Sequence, residues 1–360
     1  MSSSPYKTIL VTGGAGFVGS NLAIWFQRAY PDTHVIAADN LKRRGTEVNL
    51  PRLRQEGIEF VHCDIRNAED LSFEQGVDLI LECSAEPSVL AGYGQSPAYL
   101  INTNLMGTIN CLELARRSGA DFVFLSTSRV YPIEALNSLG TIELDSRFAL
   151  TQDQPLPGVS EHGIGERFPL EGSRSLYGAT KLCSELLIQE YGAMYGVRFI
   201  INRCGVITGP WQMGKVDQGV FALWMAHHYF RRGLSYIGWG GQGKQVRDLL
   251  DVDDLTDLLA IQLSRFSPLA GQTFNVGGGL DCSLSLLETT RLCQEITGNV
   301  VPIEKVPENR PADVKVYVSD NRHITETVGW LPHRTPRDTL TRLFDWFTES
   351  EPLIRHLWTA

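Results

Sequence analysis

Ile9-Leu10-Val11-Thr12-Gly13-Gly14-Ala15-Gly16-Phe17-Val18-Gly19-Ser20 is an apolar run, a cluster of glycines three apart, and the opening of an amphipathic stretch. That order reads as strand, turn and helix. Gly13 permits a tight turn, Gly16 lets backbone approach a pyrophosphate, and Gly19 lets the helix pack closely on the strand. The helix N-terminus, where Phe17 and Val18 lie, attracts the phosphates through its unpaired N–H groups. Twenty positions after Gly19, Asp39 closes a second apolar run, His34–Asp39. A carboxylate there hydrogen-bonds the adenosine ribose and repels a 2′-phosphate, which selects NAD over NADP. Lys42, Arg43 and Arg44 follow; they read equally as a solvated basic turn or as a contact on the adenine side.

Outward from this turn, short apolar runs alternate with amphipathic stretches through the first half of the chain, as βαβ units require. Strands are expected at Thr8–Thr12, His34–Asp39, Glu59–Cys63, Leu79–Cys83, Phe122–Ser126 and Arg198–Asn202, with helices at Ser20–Tyr30 and Asn104–Ser118. The fold class is therefore α/β: a Rossmann-type doubly wound parallel sheet with a smaller mixed α/β substrate-binding domain. The dinucleotide domain is expected at 1–204 and the smaller domain mainly at 205–360, with about 245–275 returning to the first. From Pro132 to Ser175 the sequence is rich in proline and glycine and has no sustained period, so it reads as an insert, 132–175, within the first domain.

The chain has 360 residues, 43% of them apolar, and a formal charge of −9. It is long enough for a large core, and its acidity argues against a general nucleic-acid or anionic-membrane binder. Seven scattered cysteines without a C-x-x-C pair fit reduced thiols, and no metal site is expected. No secretory leader or membrane-length apolar run is visible, so the protein is expected to be soluble and cytoplasmic.

Tyr177-Gly178-Ala179-Thr180-Lys181 carries the chemistry. On a helix, residues four apart share one face. A free tyrosine titrates at about 10, but a neighbouring ammonium favours the phenolate, so Tyr177 could take a hydroxyl proton while hydride leaves the same carbon. Ser126-Thr127-Ser128 ends a strand where hydroxyls face a cofactor crevice, and the three cannot be told apart on physical grounds. Gly238-Trp239-Gly240-Gly241-Gln242-Gly243-Lys244 mimics a P-loop, but Gln245 stands where a magnesium-binding hydroxyl belongs. Arg247 and Arg310 read as diphosphate clamps or as ordinary surface ion pairs.

These motifs, in this order, resemble the extended short-chain dehydrogenase/reductase family from about Lys7 to about Phe347. Within that family the chain looks most like the CDP-paratose 2-epimerases, also called CDP-tyvelose epimerases. The resemblance is carried by Ala38-Asp39-Asn40-Leu41-Lys42-Arg43-Arg44-Gly45, His62-Cys63-Asp64-Ile65-Arg66-Asn67, Asp217-Gln218-Gly219, Gly243-Lys244-Gln245-Val246-Arg247-Asp248, and the long insert before Tyr177. It implies that Thr127 is the catalytic hydroxyl and Lys181 also a ribose ligand. Asn40, Arg43, Asp64, Ile65, Ala85 and Asn104 are implied to line the NAD. Gln218, Arg247 and Arg310 are implied to hold a nucleotide-diphosphate sugar. A homo-oligomer, dimer or tetramer, is implied as well. The sequence departs from the family at Glu82, where histidine is usual, at Pro132, and at Val220.

Related dehydratases need an acidic pair directly after the catalytic threonine, and related decarboxylases a glutamate two after it; here Ser128 and Arg129 hold those places. The expectation is an NAD-dependent epimerase acting at C2 of a nucleotide-linked hexose. The alternatives are a UDP-sugar 4-epimerase, a net dehydrogenase or reductase, and a non-catalytic dinucleotide sensor.

Overall fold

The computed structural model describes residues 4–73, 76–213 and 219–358. The chain divides into two compact units. The first comprises Met1–Thr127, Leu176–Arg203 and Thr256–Thr273.

Its centre is a seven-stranded sheet in the order Gln272–Val276, Phe199–Cys204, Asp121–Thr127, Leu79–Glu82, Thr8–Thr12, His34–Asp39, Glu59–His62. The division between units falls inside the strand Gln272–Val276. Thr8–Thr12 pairs in parallel with His34–Asp39 on one side and Leu79–Glu82 on the other. The strand order therefore reverses at the first strand, and the crevice beyond the carboxyl ends of these strands is where such sheets bind ligands. Every residue of Thr8–Thr12 and Asp121–Thr127 is buried, as a sheet covered on both faces demands. Leu10, Ile36, Ile80, Phe122 and Phe124 meet Leu112 and Ile188 of the covering helices in one core. Each such side chain contributes roughly 1.5–3 kcal/mol on burial.

Of the six expected strands, Thr8–Thr12 and His34–Asp39 have the expected ends and the other four are moved by a residue or two, and the first helix is Phe17–Ala29. The helix expected at Asn104–Ser118 differs more. It is preceded by a short helix, Ala98–Ile101, and a wide π turn, Asn102–Met106, before Gly107–Ser118 runs as regular α-helix to a left-handed Gly119.

The second unit comprises Ser128–Ser175, Cys204–Leu255 and Phe274–Ala360. Its sheet is mixed: Val246–Asp251 pairs in parallel with Val206–Thr208 and Val316–Tyr317 and antiparallel with Ser283–Ser285. Helices Val220–Tyr229, Leu286–Thr297 and Pro336–Trp358 supply a core that includes Trp224, Leu340, Trp346 and Phe347. Leu286–Thr297 starts on a capping box, Ser285 accepting from the Glu288 N–H while Glu288 accepts from the Ser285 N–H.

These boundaries differ from the expected ones in two places. The stretch expected as an insert of the first domain falls in the second unit as Ser128–Ser175, and the return to the first unit is Thr256–Thr273 rather than about 245–275. The cause is where backbone partners lie. Phe148 N–H donates to Lys244, Ile164 N–H to Val318, and Asn137 Nδ2 to Asp313, so the irregular stretch is tied down within the second unit. Val246–Asp251 likewise spends its backbone groups on the second sheet.

Candidate functional site

At the glycine turn, sterics fix the residue types. Gly13 has φ +65°, which favours glycine, and a Cβ on Gly19 would lie 2.2 Å from the Gly13 carbonyl oxygen. Gly14, which sequence reading left aside, is as constrained: its Cβ would meet Ala37 Cα at 2.7 Å, and its N–H donates to Ala38 O at 3.0 Å. Asn49 Nδ2 donates to Ala15 O at 2.8 Å and steadies the turn from outside. Gly16 is the N-cap of the helix Phe17–Ala29 and offers no side-chain cap, so the first-turn N–H groups of Phe17 and Val18 remain for an anionic ligand. That uncapped terminus behind a glycine turn fits the pyrophosphate of a dinucleotide.

Asp39 ends the second strand beside this turn. Its Oδ2 accepts from the Ala15 N–H at 3.2 Å and its Oδ1 from the Leu41 N–H at 2.8 Å. Burial raises its pKa above the ordinary carboxylate value, and those backbone N–H groups oppose the rise. Next to it, Asn40 Nδ2 donates to Asp64 Oδ2 at 3.2 Å, and Arg66 holds Asp64 down to about 2. Lys42 Nζ and Arg66 Cζ lie 5.7 and 4.9 Å from the Tyr99 ring centre, so Lys42 packs on an aromatic face that the sequence did not single out. Arg43 accepts through its carbonyl from Thr46 in the turn that follows. Ile65 is buried against the helix start, where a Cβ on Gly107 would come within 2.4 Å of Ile65 Cδ1.

Ala85 is half-buried in the loop after the fourth strand, and Asn104, in the π turn, fixes that loop. Asn104 Oδ1 accepts from the Glu86 N–H at 2.8 Å, and its Nδ2 donates to Glu86 O at 3.1 Å and to Thr180 Oγ1 at 3.3 Å. Thr180 belongs to the helix Leu176–Tyr195, which carries Tyr177 in its first turn and Lys181 one turn on. Lys181 is 2% exposed, with Nζ 4.0 Å from the Phe124 ring centre.

The three hydroxyls at the end of the fifth strand separate. Ser126 Oγ donates to Glu185, which forms a buried ion pair with Arg203 at 2.7 Å; Ser126 is therefore engaged structurally. Thr127 is the last residue of the strand, and Ser128 begins the second unit.

Within the second unit, Arg247 is mostly buried, its side chain 13% exposed. Its Nη1 donates to Val246 O at 2.7 Å, and its Nη2 donates to Val314 O at 2.6 Å and Asp313 Oδ1 at 3.2 Å. Burial pulls its guanidinium down to about 10, and repulsion from Arg129 and Arg310 adds to this, while Asp313 opposes it. The two arginines singled out by sequence are thus electrostatic neighbours, and Arg129, whose Nη1 donates to Ala312 O at 3.1 Å, joins them. Gln218 and Asp217 lie outside the described residues. The P-loop look-alike is a short 3₁₀ turn, Trp239–Gly241, and Lys244 pairs with Glu143 at 2.7 Å. The seven cysteines are free thiols, and among the described residues no group of acidic, histidine and cysteine side chains could hold a metal ion. No helix is long and apolar enough to cross a membrane among the described residues.

Residues 9–277 match the NAD dependent epimerase/dehydratase family, and the chain belongs to it. It is an enzyme of the short-chain dehydrogenase/reductase type whose cofactor is NAD. Among its relatives, CDP-paratose 2-epimerase of Salmonella typhi is 30% identical over 94% of this chain and 98% of that one. Among solved structures, UDP-glucose 4-epimerase of Thermus thermophilus in complex with NAD aligns with a TM-score of 0.75 at 26% identity, covering 95% of this chain and 99% of that one. A double mutant of dTDP-glucose 4,6-dehydratase from Streptomyces venezuelae, with NAD bound, aligns at 0.76 and 29% identity over 97% and 99% of the two chains.

Proposed function

We propose that the chain epimerises a nucleotide-diphosphate hexose at C2, the reaction type of CDP-paratose 2-epimerase. The carrying observation is that Thr127 is followed by Ser128 and Arg129, so the carboxyl groups that dehydration or decarboxylation would need are missing from those positions. The near full-length likeness to a CDP-paratose 2-epimerase supports the choice of carbon.

NAD supplies the acceptor and donor of the hydride. Tyr177 is the base that takes the sugar hydroxyl proton and returns it. Lys181 stabilises the phenolate and holds the nicotinamide ribose, and Thr127 hydrogen-bonds the reacting oxygen. Gly13, Gly16, Phe17, Val18 and Gly19 hold the pyrophosphate, and Asp39 holds the adenosine ribose. Asn40, Arg43, Asp64, Ile65, Ala85 and Asn104 line the rest. Arg247, Arg310 and Gln218 bind the nucleotide diphosphate, which makes the second unit the substrate-binding one. The enzyme works in the cytoplasm as a homo-oligomer.

The test is incubation with CDP-, UDP-, GDP- and dTDP-hexoses, reading the inverted carbon from proton couplings by NMR. Inversion at C2 is expected; inversion at C4 of a UDP-sugar would instead establish the alternative epimerase. Deuterium from heavy water entering a 6-deoxy-keto product would show a dehydratase.

A further inference from the structure

Glu82 ends the strand Leu79–Glu82 with its side chain fully buried. In register it lies between Thr12 and Phe124 of the neighbouring strands, and the Phe124 ring carries the Lys181 ammonium 4.0 Å from its centre. Glu82 Oε1 accepts from Thr108 Oγ1 at 2.7 Å, while among the described residues Oε2 has no hydrogen-bond partner, nor has Thr12 Oγ1 beside it. A buried carboxyl left half-satisfied is costly, so a role outside simple packing is called for.

The catalytic helix presents Lys181, which opposes the rise in the pKa of Glu82. The helix Gly107–Ser118 presents Cys111, with Cys63 behind it at the end of the third strand. Burial pushes the Cys63 thiol up to about 12 and Cys111 well above its ordinary value, so both stay neutral. Burial likewise pushes Glu82 up to about 7.

Thr108 gives the carboxyl two settings. Its hydroxyl has one hydrogen, yet stands 2.7 Å from Glu82 Oε1 and 2.8 Å from Asn104 O. Ionised, Glu82 takes that hydrogen. Protonated, it can donate to Thr108 instead and release the hydrogen to Asn104, whose carbonyl also accepts from Ser184 of the catalytic helix at 3.0 Å.

We propose that Glu82 is a positioning residue for the Tyr177–Lys181 pair, its ionisation setting how much of the Lys181 charge reaches the tyrosine. The proposal rests on Tyr177 being the base. Ionised, Glu82 offsets the ammonium and keeps the phenol harder to deprotonate. As pH falls and Glu82 takes a proton, the full ammonium field returns to Tyr177 when the phenolate most needs it.

The experiment is a ¹³C NMR titration of protein labelled at the tyrosine ring carbon that bears the hydroxyl. The resonance missing from Tyr177→Phe is Tyr177. In the wild type its titration should show a secondary inflection near pH 7, the value expected of Glu82. In Glu82→Gln that inflection should vanish and the midpoint fall by about one unit, the order of effect of one nearby buried charge. Thr108→Val keeps both charges and removes the hydrogen bond that favours the ionised carboxyl, so it should move the inflection upward; it serves if Glu82→Gln does not fold. An unchanged midpoint in Glu82→Gln, or an unmoved inflection in Thr108→Val, overturns the role of Glu82. A wild-type Tyr177 that titrates like a free tyrosine, at about 10, overturns the base assignment itself.

Discussion

In the proposed mechanism Tyr177, in the first turn of its helix and one turn ahead of the buried Lys181, is the base. Removing only the hydroxyl should therefore remove the base and little else. Tyr177→Phe is expected to lower kcat by about 10²–10⁴ while NAD affinity, measured by calorimetry, stays within a few-fold. Glu82 bears on stability as well. Its folded pKa of about 7 lies above the ordinary value, so the contribution of the neutral carboxyl is fully present below about pH 4.5 and is lost as pH rises through about 7. Wild-type stability should thus fall between pH 5 and pH 8, relative to Glu82→Gln, by an amount on the order of 3 kcal/mol. Denaturant unfolding at the two pH values measures it, and parallel pH dependence in the two proteins would show that Glu82 does not titrate in the folded state.

The strand, turn and helix at Thr8–Ala29 act as one element because the helix start rests directly on the turn. Gly19→Ala puts a methyl group 2.2 Å from the Gly13 carbonyl oxygen, backbone that cannot step aside cheaply. It should cost roughly 1–3 kcal/mol of stability and weaken NAD binding more than tenfold, read by thermal unfolding with and without NAD. This element was legible in the sequence because its glycines, apolar run and acidic partner each answer a local steric or electrostatic need. The six strands were legible because each holds a short run of apolar residues set off from the amphipathic stretches around it. The π turn Asn102–Met106 was not, since nothing in its residue types departs from ordinary helix; a backbone widened by its packing leaves no periodic mark. Nor could Ser126 be separated from Thr127 before the buried partner of Ser126, Glu185, was in view. The assignment of Ser128–Ser175 to the second unit depends on hydrogen bonds to Lys244, Val318 and Asp313, distant in sequence and invisible to any local pattern.

The helix Leu176–Tyr195 leaves Leu186 55% and Met194 67% exposed, with Tyr195 exposed nearby. Apolar side chains on one helix that face water in a single chain suit an interface with a second copy. Leu186→Asp with Met194→Asp should shift the sedimentation coefficient toward that of a 40 kDa monomer. An unchanged value would place any self-association elsewhere. The route of the chain carries a consequence for how the protein is made. The first unit is assembled from Met1–Thr127, Leu176–Arg203 and Thr256–Thr273. A ribosome that has just delivered Tyr177 and Lys181 has still not delivered the last piece of the first unit. Nascent chains arrested before Thr256 should therefore fail to gain protease resistance from NAD, whereas chains that have cleared the exit tunnel well beyond Thr273 should gain it.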